Sequence, residues 1–303
     1  MFRRNDLILL IVTFGSIGVA IAFPEKCRVF APYPLYLMMV FLFFSFLKIE
    51  FVKILQDVRK TAFALFVLCL FKLILLPAGL YFLSLAVWPK FAVPVLLLSG
   101  VSTGVVAPFI ATLLGASALL VLMMVVVSSL LVPFTLPALL KLLAGHIAEL
   151  SFSAMVEYLA MVIFIPAAVK IFVRYFAPSF SKRLEKIQFP VSMVIFGLVN
   201  LGVFPKYSSF FSERPGELAG AIFVAFILSA ICHIVGFLAA WGLSKEDRLA
   251  GAASFAYMNS VLIIVFAAQF FDPLSPVLAV VYMFPFFIMI VPARTIGDRV
   301  LRQ

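Results

Sequence analysis

Long apolar runs, each closed by a short polar cluster, cover almost the whole of this chain. Read as helices, they predict ten spans at residues 6–23, 33–49, 61–88, 91–114, 118–143, 151–176, 188–204, 217–244, 249–271 and 274–295. Each approaches the ~20 residues a helix needs to cross a ~30 Å hydrocarbon core, with the second and seventh on the short side. Alternating, turn-separated β-barrel patterning is absent, and in lipid only helices and closed barrels satisfy every backbone polar group. The pattern therefore predicts an all-α polytopic membrane protein. Composition agrees: 65% of the 303 residues are hydrophobic and 12% charged, against about 45–50% and 25% in soluble domains. The opening segment, with Arg3, Arg4 and then Ala20-Ile21-Ala22, also fits a signal peptide. The repeat described below requires it as a retained first span.

One position breaks the apolar pattern at depth. Lys72 is the sole charge in the run 61–87. It lies about eleven residues, roughly 16 Å of helix, from the start of its span, too deep to snorkel easily. A charge at mid-depth is unfavourable by at least about 2.5–3.5 kcal/mol, so such residues face a cavity or a partner and tend to mark a pathway. The remaining basic residues are distributed asymmetrically. With an even number of spans and both termini on one side, sixteen Lys and Arg fall on that side, from Arg3 and Lys48 to Arg302, and six on the other, from Lys26 to Arg214. The positive-inside rule then puts both termini in the cytoplasm of a cell-membrane protein. The net charge of +10 follows from this topology and from anionic lipid at the inner leaflet, with no nucleic-acid partner required. Cys27, Cys69 and Cys232 are scattered without metal spacing, so neither a disulfide framework nor a metal site is expected.

A short echo in the chain reads either as an internal repeat or as chance among common residues. RVFAPY at 28–33 is echoed by RYFAPSF at 174–180, an offset of 146 residues. Five intervening spans invert the second copy, the plan of many secondary transporters. Two five-helix repeats, 1–146 and 147–303, form one unit on this reading. Matched interruptions support it. The fourth span carries Gly100, Ser102, Thr103, Gly104, Pro108 and Thr112; the ninth carries Ser254, Tyr257, Asn259 and Ser260. Pro108 plus the offset falls on Ser254, so both helices are expected to be broken and to cross near these two residues. Broken backbone at mid-depth is tolerated where it is buried in protein or lines a cavity, and its half-helix ends point partial charges at ions or substrates. The alternative, close-packing small residues, stays open for either span alone. Further polar positions are Glu157, a candidate partner for Lys72, and Asn200 and His233, which line a crevice or bond helix to helix.

In order and spacing these segments resemble the bile acid:sodium symporter family over nearly the whole chain. The segments are FLKIEFVKILQDVRK (46–60), LPAGL (76–80), SSLLVP (128–133), MNS (258–260) and SPVLAVVYMF (275–284). The resemblance implies a core domain built on two crossed helix units, a panel domain, and a solute moved between them by alternating access. The family's sodium ligands are largely not kept. Ser254 stands where the resemblance implies a glutamate, Met258 where it implies a glutamine, Ala107 and Pro108 where it implies serine and asparagine, and Val121 and Val125 where it implies hydroxyls. Lys72, five residues before Pro77, stands where it implies another glutamine. Asn259 is kept.

No catalytic constellation is present, which argues against an enzyme. The expected function is a secondary carrier for a small organic, amphipathic anion. No cofactor is expected, and Lys72 takes the place of a bound sodium ion. The solute is expected near Lys72, Thr103, Asn259 and Ser260. Membrane lipid is the other expected partner, and the sequence is compatible with a monomer or a homodimer. A non-transporting scaffold or receptor, and a sodium symporter with atypical ligands, are the alternatives.

Overall fold

The computed structural model describes residues 4–47, 49, 51–145 and 151–302, and the backbone alone for most of 4–10 and for 51–60. Arg3, Lys48 and the proposed boundary at residue 146 lie outside the described residues. All regular structure among the described residues is helical, apart from one isolated antiparallel pair, Thr103 with Met258.

Five helices are long and apolar enough to cross a membrane: Thr61–Val87, Ala118–Ala144, Phe152–Phe176, Pro178–Glu213 and Pro215–Ala239. Two bent pairs raise the number to seven, Pro24–Phe30 with Pro34–Phe46 at 64° and Leu274–Ile288 with Ile290–Arg302 at 45°. The first predicted span is one helix, Arg4–Ala22, with Ile11–Ala22 as its apolar part among the described residues, and the fourth and ninth contain the shorter apolar helices Pro89–Gly100 and Ser260–Phe270. In the fourth and ninth this follows directly from the breaks, which split each run into pieces of 12 residues or fewer.

Helix starts follow local chemistry. Ser117, Ser151 and Ser244 accept from the backbone N–H three residues on, satisfying one of the orphan donors of the first turn. Pro34, Pro178 and Pro215 open helices where a missing N–H leaves nothing unpaired. The seventh helix begins at Pro178, ten residues before its apolar run, because the polar stretch between Phe176 and Ile187 is itself helical. In the third span the helix Phe51–Leu70 bends at Thr61 (φ −120°, ψ 16°), the point where the run turns apolar.

Packing sorts the helices into two groups. The first, second, sixth and seventh helices pack on one another, and the third, fourth, fifth, eighth, ninth and tenth form the other cluster. The two groups meet where the fifth helix packs along the sixth, and the piece Ser260–Phe270 also touches both. The eighth and ninth helices approach most closely at Gly236 and Gly251, where a Cβ on Gly236 would lie 2.4 Å from the Gly251 carbonyl oxygen. Small residues let backbones meet in this way where lipid supplies no hydrophobic drive. Gly236→Val should therefore separate the two helices and destabilise the purified protein by about 1–3 kcal/mol, as overpacking does. Gly15→Val, where no atom lies within 4 Å, should leave the melting temperature in detergent unchanged.

Candidate ion and solute site at the crossed half-helices

The fourth span stops at Gly100, runs extended from Val101 (φ −73°, ψ 161°) and resumes as Ala107–Leu113. The ninth stops at Ala256 and resumes at Ser260. Each break leaves backbone groups without intrahelical partners, and the two breaks satisfy each other. Gly104 N–H donates to the Tyr257 carbonyl at 2.8 Å, and Asn259 N–H to the Ser102 carbonyl at 3.0 Å. Thr103 Oγ1 donates to the Ser254 carbonyl at 2.9 Å, while the Thr103 N–H finds Ser128 Oγ at 3.0 Å. Tyr282 donates from the tenth span to the Ala256 carbonyl at 2.7 Å. Gly104 permits the crossing sterically, since a Cβ there would lie 2.8 Å from the Met258 carbonyl oxygen.

The crossing is therefore at Thr103 and Met258, not at Pro108 and Ser254. Its offset is 155 residues rather than 146. Pro108 opens the second half-helix, where its lack of an N–H is harmless, instead of lying inside the break. Ser254 is still helical, in the last turn before the break.

Lys72 completes the arrangement. Its segment, Phe71–Leu75, is a π-turn in which Leu76 N–H reaches back to the Phe71 carbonyl; Pro77, which cannot donate, lies just beyond. A π-bulge of this kind is frequent at functional sites. The side chain is 0% exposed, and its Nζ donates to the Ser99 carbonyl at 2.7 Å. That carbonyl belongs to the last turn of Ala92–Gly100, where the helix dipole favours a cation. Among the described residues no carboxylate forms an ion pair with Lys72.

The other predicted site residues divide. Thr103, Gly104, Ser254, Asn259 and Ser260 are buried together at the crossing. Asn259 caps the second half-helix, its Oδ1 accepting from Leu262 N–H at 3.3 Å. The hydroxyls of Ser102, Ser254 and Ser260 are buried without a protein partner. Thr112 is not part of the site: it is exposed and bonds the Phe109 carbonyl of its own helix at 2.6 Å, because its position turns it away from the break. Glu157 does not pair with Lys72; it lies on an exposed position of the sixth helix. Asn200 ties the seventh helix to the first through Ser16 Oγ at 3.0 Å. His233 bonds its own helix at the Ser229 carbonyl, 2.8 Å, and meets the Tyr257 ring edge-on at 5.4 Å.

Ser128 and Tyr282 were missed as partners. Both stand inside the motifs SSLLVP and SPVLAVVYMF, and the signal available was a hydroxyl two to three helical turns into an otherwise apolar segment. A cavity of about 410 Å³ lies apart from Lys72, between the two helix groups. Its wall includes Glu25, Arg28, Tyr158, Lys206 and Gln269; Arg28 lies 3.9 Å from Glu25, and Lys206 Nζ donates to the Ala268 carbonyl at 2.5 Å, near the end of the second ninth-span piece.

A family model for the sodium bile acid symporter family matches residues 35–214. The chain belongs to that family. This makes it a multi-pass membrane protein of a transporter family, in accord with its apolar helices. The match spans Lys72 and the fourth-span break and ends before Ser254, Asn259 and Ser260. No curated protein matches the chain.

Thr103→Val keeps the shape of the side chain but leaves the Ser254 carbonyl buried without its donor. An unsatisfied buried group of this kind is unfavourable by about 1–3 kcal/mol. The variant should melt lower by that margin in detergent, whereas Thr112→Val, on the exposed face, should melt like the wild type.

Proposed function

We propose that this member of the symporter family is a secondary carrier for small, amphipathic organic anions that works without sodium. The crossed half-helices form the hinge of alternating access, and the Lys72 ammonium stands where the family resemblance implies a sodium ligand. The observation that carries this reading is the Lys72 Nζ bond to the Ser99 carbonyl at 2.7 Å. A fixed cation already occupies the negative end of the half-helix, and lysine brings three donors and no acceptor. The missing acidic ligand at Ser254 fits the same charge balance, since a lysine gained and a carboxylate lost replace a bound ion and its counter-charge. An ion drives a conformational change only if it binds two states differently, and few side-chain ligands for it remain.

The ten-span inverted repeat, with both termini cytoplasmic, is the topology that goes with this reading. The helix group of the first, second, sixth and seventh spans corresponds to the panel, and the other group to the core. The 410 Å³ cavity between them is the access route for the solute, and Lys206 supplies the positive charge that selects an anion, since Arg28 is paired with Glu25 on the same wall. The crossing itself is closed around Lys72, Thr103 and Ser260, so we assign it to coupling rather than to solute contact.

A second reading, sodium symport with atypical ligands, is favoured by one observation. The Ser102, Ser254 and Ser260 hydroxyls are buried at the crossing without protein partners. Uptake into proteoliposomes separates the two. A bile acid and shorter amphipathic carboxylates should enter equally fast from sodium, potassium and choline media, and Lys72→Gln should slow uptake at least tenfold in all three. Strong sodium stimulation of the wild type would select the second reading. Stimulation by a proton gradient, lost in Lys72→Gln, would make the lysine a proton carrier. Lys206→Ala should raise KM for the anion about tenfold, the size of one charge-assisted contact, with kcat little changed, and Arg28→Ala, whose charge Glu25 offsets, should raise it less.

A further inference from the structure

A second cavity, of about 220 Å³, opens on the face that carries the C-terminus. Its walls come from the eighth helix (His233, Phe237), the ninth (Leu249), the end of the fourth span (Leu114) and the C-terminal helix (Ala293, Ile296). The lining is almost wholly apolar, and three of its residues, Ile234, Leu238 and Ile296, are exposed at the surface. A solute with charge along its length does not fit such a wall; a hydrocarbon chain does.

The rim carries the complementary charge. The Arg248 guanidinium lies over the Phe237 ring at 4.1 Å and the Trp241 ring at 4.4 Å. Phe237 is also a wall residue, and Arg248 directly precedes the wall residue Leu249, so the cation lies beside the cavity. Among the described residues no carboxylate pairs with Arg248, and its Nε is buried without an acceptor. A guanidinium held against aromatic rings still carries its planar fork of N–H donors, the group that binds phosphate. Trp241 is 72% exposed at the turn between the eighth and ninth helices, as tryptophan is at a membrane–water boundary.

We propose that this cavity is a specific site for an anionic phospholipid, with one acyl chain in the cavity and the phosphate on Arg248. The lipid would bridge the eighth and ninth helices to the C-terminal helix and so stiffen one face of the crossed half-helices.

The test is the melting temperature of the delipidated full-length protein in neutral detergent, with dioleoylphosphatidylglycerol, dioleoylphosphatidylcholine or inorganic phosphate added. The anionic lipid should raise the melting temperature several degrees more than the zwitterionic one, and phosphate alone should not. Arg248→Gln should abolish the difference between the two lipids. Ala293→Phe, which fills the cavity without touching the charge, should abolish it as well and provides the test if Arg248→Gln does not fold. Equal shifts from both lipids in the wild type, an equal shift from phosphate alone, or a retained difference in either variant would overturn the proposal.

Discussion

No water is available at the depth of a bilayer core to satisfy a broken helix, so every backbone group freed by a break must find a protein partner. That constraint organises the centre of this molecule. The fourth and ninth spans are both broken, and neither break could stand alone. They are stable because the extended segments at Ser102–Gly104 and Tyr257–Asn259 exchange backbone hydrogen bonds, and because Thr103, Ser128 and Tyr282 supply the side-chain partners that remain. Gly104 matters for the same reason, since a larger residue would hold the two backbones apart.

Lys72 belongs to this accounting. A helix end presents carbonyls and a partial negative charge, and the ammonium answers both at Ser99. The π-turn at Phe71–Leu75 lies where Pro77 withdraws its N–H, so one local irregularity in the third span presents the side chain that steadies another in the fourth. On the functional reading proposed above, a carrier of this family would keep the hinge and replace a diffusible cation by a tethered one. The charge at the hinge would then no longer come and go with the external ion.

The membrane class and the positions of most helices were legible in hydropathy, because apolar length reports directly on the solvent a segment meets. Helix ends were less so. The seventh begins at Pro178 because a polar amphipathic stretch can be as helical as an apolar one. The depth of Lys72 was legible, and so was the existence of both breaks, from glycine, proline and hydroxyl residues within apolar runs. Their register was not: proline suggested a break at Pro108, whereas proline is equally at home in the first turn of the helix that follows one. Nor does depth tell which way a side chain faces. Thr112 and Glu157 share the polarity of the site residues but lie on exposed positions, and only helix packing separates them from Thr103 and Asn259.

The central claim is that the ammonium of Lys72 does at this hinge what a bound sodium ion would otherwise do. The melting temperature of the purified protein in sodium chloride, potassium chloride and choline chloride at equal ionic strength tests it without requiring a known solute. An ion that binds only the folded state stabilises it by RT ln(1 + [L]/Kd), about 2.7 kcal/mol at one hundred times Kd. The account predicts the same melting temperature in all three salts. A rise specific to sodium in the wild-type protein would contradict it.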